Sequence, residues 1–158
     1  MDRAALDCLY RAHGPSVLRR ARQVLRDDDD ARDVVQELFL SLARGGGPEP
    51  ERITTAWFYT AATHLCLNRL RNRNNRTRLW RQHGSASERT DAARGEALVL
   101  ARDVLARLPA PLAEVAIYHF CDEMTHGEIA ALLGCSRRHV GDLLERIHQS
   151  VQGSEACG

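Results

Sequence analysis

Three stretches of the sequence concentrate side chains that could do chemistry. Between Arg69 and Arg81, "RLRNRNNRTRLWR" holds six arginines and no acid. Guanidinium groups pair with phosphates and lie flat on bases, so this run suits a nucleic-acid strand. Between Asp27 and Glu51 there are eight acids against two arginines. Such a block suits a basic partner. The third stretch is "MTHGEIAALLGCSRRHV", Met124–Val140, in which Thr125 precedes Glu128, Gly134 marks a turn, and Ser136 is followed by Arg137 and Arg138. Arginines that open a helix can bond guanine edges or phosphates in a major groove.

These groups need elements to hold them. "DDDDARDVVQELFLSLARGGG" reads as a helix with an Asp among residues 28–30 as its cap and acids at its N-terminal end, where the macrodipole favours them. Val34, Val35, Leu38, Phe39 and Leu42 form its buried stripe, and Gly45–Gly47 stop it. Before it, "LDCLYRAHGPSVLRRARQVL" has helical spacing, with a break or kink expected at Gly14-Pro15. After it, "GGGPEPERIT" reads as loop and "TTAWFYTAATHLCLNRLRNRNNR" as a long helix. Its apolar rows, Phe58, Ala62, Cys66, Leu70 and Trp57, Ala61, Leu65, end where the arginines begin. One end of this helix is therefore core and the other basic. Arg69, Arg73 and Arg76 fall at i, i+4 and i+7 and share a side.

Residues 79–95, polar and rich in small side chains, read as a flexible linker. The expected fold is all-α: two small helical domains, residues 1–78 and 96–158. In the second, "EALVLARDVLARL" ends before Pro109, and "PLAEVAIYHFC" starts with Pro111 in its first turn. Thr125 and Glu128 have capping-box spacing, Gly134 allows a left-handed turn, and Ser136 can cap the next helix. Val140, Leu144, Ile147 and Val151 make one stripe; Arg137, Arg138, Gly141, Asp142 and Glu145 lie on the other face. This is a helix-turn-helix layout, with a plain helical hairpin as the alternative.

The chain has 158 residues, 44% hydrophobic and 5% aromatic, with net charge +1. All 22 basic residues are arginine, so the uneven distribution of charge carries more than its sum. No apolar stretch reaches the about 18 residues of a membrane span, and the N-terminus lacks the apolar core of a signal peptide. A cytoplasmic location without membrane insertion follows as the expectation. The five cysteines are scattered with no CxxC pair, which predicts buried reduced thiols rather than disulfides. His119, Cys121, His126, Cys135 and His139 are too irregularly spaced for a zinc site. Neither a nucleophile elbow, a P-loop nor an HExxH occurs. No catalytic residue, metal, cofactor or small-molecule substrate is expected.

The ordered set "DDARDVVQELFLSLAR", "AWFYTAATHLCLNRLRNR" and "RLPAPLAEVAIYHFCDEMTHGEIAALLGCSRRHVGDLLERI" resembles region two and region four of the extracytoplasmic-function (ECF) sigma factors of bacterial RNA polymerase. The resemblance covers about residues 7–76 and 97–151. It implies that the helix from Asp30 docks on core RNA polymerase through Asp30, Asp33, Gln36 and Glu37. It implies that His64, Asn68, Arg69, Arg71, Arg73 and Arg76 face promoter DNA at the melted minus-ten element. Ser136, Arg137, Arg138 and His139 match the reader of the minus-thirty-five element. Gly141 and Leu143 stand where the family usually carries Lys or Arg, and Thr60 and Thr63 where Arg is common. The function implied is promoter recognition and transcription initiation, with an anti-sigma factor as a further partner. The alternative is a sigma-like interaction module that binds polymerase or a regulator without opening promoters.

Overall fold

The computed structural model describes residues 2–82 and 94–155. Among them every regular element is helical. The chain divides into two compact units, Met1–Arg69 and Leu70–Gly158. No helix among the described residues is long and apolar enough to cross a membrane. Residues 83–93 of the expected linker, and Cys157, lie outside the described residues; residues 79–82 and 94–95 are helical.

The first unit is built from α1 (Arg3–Leu25), α2 (Asp28–Ala43) and the start of α3 (Thr55–Gln82). Helix α1 runs through Pro15 rather than breaking there. Proline gives up one backbone hydrogen bond, while Gly14, Val17 and Ala21 hold the surrounding turns in the core. Arg26 turns left-handed (φ 54°) and ends α1 through its N–H to the Arg22 carbonyl. The cap of α2 is Asp27, one residue before the expected set: its carboxylate accepts from Asp30 N at 2.9 Å. The three following aspartates are then free to sit in the first turn. The stripe read from the sequence is buried as expected, joined by Ala31.

Aromatic packing closes this core. Phe58 stacks on His13 (4.4 Å) and on Phe39 (5.6 Å), and Tyr10 meets Phe39 edge-on at 5.0 Å. A buried polar link joins α1 to α3. Arg20, 3% exposed, donates through Nε to Thr63 Oγ1 (3.1 Å) and lies 4.3 Å over the Tyr59 ring. Thr63 in turn donates to the Tyr59 carbonyl. Position 63 therefore faces the interior, which gives a physical reason for a small hydroxyl there instead of arginine. Of the four described cysteines only Cys66 is buried; Cys8 and Cys121 are exposed and Cys135 is intermediate. Burial pushes the Cys66 thiol up to about 12. That leaves it unreactive at neutral pH.

The second unit holds α4 (Arg94–Arg107), α5 (Ala110–Ala116), α6 (His126–Leu133) and α7 (Arg137–Glu155). Helix α5 passes into a π-helical turn over Ile117–Cys121, so the segment expected as one α-helix changes pitch half-way. There Tyr118, fully buried, donates to the buried Glu114 carboxylate at 2.8 Å. Leu112, Val115, Ile117, Ile129, Val140, Leu143, Leu144 and Ile147 make the core, while Val151 is 37% exposed. Leu143 is thus a core residue. Its lack of charge reflects burial beside Leu144, not a gap in the polar face of α7.

Candidate functional site

The acidic face of α2 comes first. Asp30, Asp33 and Glu37 fall at i, i+3 and i+7, so the helix sets them in one row opposite the buried stripe. The side chains of Asp33 and Glu37 are 56% and 53% exposed, and Asp30 is 29% exposed. Gln36 is exposed beside them. The row borders apolar surface: Leu40 is 45% and Tyr10 51% exposed. At its N-terminal end Asp28 pairs with Arg22 and Arg32. The hydrogen bond from Arg22 is the main cause holding the Asp28 carboxyl below its ordinary value.

Arg69 sits in this row. Its guanidinium reaches Glu37 Oε2 at 3.2 Å, Asp33 Oδ2 at 3.3 Å and Asp30 Oδ1 at 3.6 Å. The structure thereby joins three residues expected to face polymerase with one expected to face DNA. Periodicity could not show this, because it places Arg69 on a side without saying which helix lies there.

The other α3 residues divide. His64 and Asn68 are exposed in the first unit. Within the second unit Arg71 is half-buried and donates to the Leu108 carbonyl at 3.0 Å. Arg73, Arg76 and Arg78 are exposed. Arg81 has no described side chain.

Helices α6 and α7 form the other candidate surface. The capping box exists: Glu128 N donates to Thr125 Oγ1 (3.3 Å), and Thr125 N donates to the Glu128 carboxylate (2.7 Å). Gly134 is left-handed at φ 66°, and Ser136 Oγ accepts from His139 N at 3.1 Å. This sharp turn leaves Ser136, Arg137, Arg138 and His139 all exposed at the start of α7. Arg137 is folded back: a Cβ on Gly127 would lie 3.2 Å from its Nε. Glycine at 127 leaves room for the guanidinium to rest on α6.

The Thr125 hydroxyl, and then its backbone N–H, hold the Glu128 carboxyl below its ordinary 4.5. The stability this contributes is present above pH 4.5 and is lost as pH falls through the lowered value. Thr125→Ala is expected to lower stability by about 1 kcal/mol at pH 7. Urea midpoints taken at neutral and acid pH check this; the difference between parent and variant should shrink at acid pH.

Residues 9–76 match the family model for sigma-70 region 2. The matched segment contains the acidic α2 row and the basic beginning of the arginine run. Over 71 residues the chain is 37% identical to the ECF RNA polymerase sigma factor SigM of Mycobacterium tuberculosis, in strains H37Rv and Erdman alike. That match spans 44% of this chain and 36% of the length of SigM. Among solved structures, CnrH in complex with the cytosolic domain of CnrY has a similar fold: 21% identity, TM-score 0.50, covering 99% of this chain and 90% of that one. The sigma factor RpoE in complex with the anti-sigma factor NepR from Bartonella quintana is 19% identical with TM-score 0.49, covering 93% and 94%.

Proposed function

We propose that the protein is an ECF-type sigma factor: it binds core RNA polymerase and directs promoter recognition and transcription initiation. The observation that carries this is the exposed carboxylate row of α2 inside the segment that matches sigma-70 region 2. Asp33, Gln36 and Glu37 offer acid and amide groups to a basic surface, and the neighbouring Leu40 and Tyr10 offer apolar area. The exposed arginines of α3 supply positive charge for the opened strand. The capped α6–turn–α7 unit is a helix-turn-helix with Arg137, Arg138 and His139 at the position from which such motifs read duplex DNA. A protein inhibitor of the anti-sigma kind is a further partner in this reading. The protein has no reaction of its own; polymerase supplies the chemistry, and the site of action is the cytoplasm.

A second reading has two observations in its favour. Arg69 and Arg71 are engaged inside the protein, and Asp142 and Glu145 are exposed on α7. Both reduce the positive charge offered to DNA, as expected of a module that binds polymerase or a regulator without opening promoters. Run-off transcription with core polymerase, on the promoter region of the protein's own gene, separates the two. Transcripts that require the protein establish the sigma factor; binding to core without transcripts establishes the module.

A further inference from the structure

We propose that Arg69 is an internal counter-cation for the docking row of α2, whose charge opposes a basic partner that engages Asp33 and Glu37. This rests on the reading that the row docks on polymerase. The geometry of the pairing carries it. A strong guanidinium–carboxylate pair is bidentate, at roughly 2.7–2.9 Å. Arg32 meets Asp28 in the same helix at 2.6 Å. Arg69 instead spreads two nitrogens over three carboxylates at 3.2, 3.3 and 3.6 Å. Its Nε is buried with no hydrogen-bond acceptor. It is therefore held by the summed charge of the row and not by one tight contact.

Exposure points the same way. The Arg69 side chain is 28% exposed, while Asp33 and Glu37 keep more than half of theirs. A second cation can approach both carboxylates from solvent while Arg69 still sits behind them. Two cations competing for one row repel each other, so docking either expels Arg69 or is weakened by it. In the free protein Arg69 neutralises part of a cluster of like charges. In the complex that same charge opposes the partner.

The test uses the full-length chain and core polymerase. Arg69→Gln should bind core about twofold to fivefold more tightly than the parent, since exposed ion pairs change an equilibrium constant by up to about fivefold. The gain should grow at low salt. Arg69→Lys, which keeps the charge, should stay near the parent. In an Asp33→Asn, Glu37→Gln background the gain should vanish. If Asp33→Asn, Glu37→Gln weakens core binding but Arg69→Gln equals or falls below the parent, the counter-cation role is overturned and the docking row stands. If none of these variants changes core binding, the row does not dock, and both readings fall together. Urea midpoints measured on each variant separate loss of folding from loss of binding.

Discussion

Asp33→Arg combined with Glu37→Arg is expected to reduce binding to core RNA polymerase by about 100-fold or more, with helical content unchanged. Like charges brought face to face cost several kcal/mol, and each 1.4 kcal/mol is about tenfold in affinity. The helix should survive. Its cap is Asp27, its buried stripe faces the other way, and both replaced side chains are more than half exposed. The new arginines also face Arg69 at close range, so the variant swaps an acidic row for a cluster of positive charge. Asp33→Asn with Glu37→Gln should fall between parent and reversal. Anisotropy of labelled protein titrated with core measures the loss, and circular dichroism checks the helix. A reversal variant that binds like the parent removes α2 as the docking element.

The α2 row and its stripe were legible in the sequence because a single helix settles them. A cap, acids in the first turn and apolar residues at three- and four-residue spacing leave one arrangement of faces. The capping box at Thr125 and the turn at Gly134 were legible for the same reason: both depend on residues within a few positions of each other. What could not be read depends on contacts between helices. The burial of Arg20 against Thr63, the placing of Arg69 among carboxylates 32 to 39 residues earlier, and the bond from Arg71 to the Leu108 carbonyl all need the packing first. A break or kink was expected at Gly14-Pro15; the break does not occur, because local preference was weighed without the core that keeps α1 continuous. The four described cysteines are free and Cys66 is buried, as expected; the exposure of Cys8 and Cys121 was missed because cysteine's general tendency to burial says nothing about a particular position.

Those contacts divide the arginine run. Arg69 is drawn to the acidic row and Arg71 to a carbonyl, so reversing either would disturb the fold as well as any DNA contact. Arg73 and Arg76, three residues apart and exposed, are the better test. Arg73→Glu with Arg76→Glu is expected to abolish promoter opening by the reconstituted holoenzyme, while core binding through α2 is retained. On single strands each phosphate contact contributes about 0.7 to the salt slope, so losing both should make the slope shallower by about 1.4. The neutral pair Arg73→Gln, Arg76→Gln should lose the same slope but keep residual opening, because it removes attraction without adding repulsion. Permanganate reactivity of unpaired thymines around the start site reads opening directly, and the same holoenzyme samples give core binding. Normal reactivity with the Glu pair would make the run a solvated helix face, and the interaction-module reading would then account better for the acidic row of α2 and the α6–turn–α7 unit.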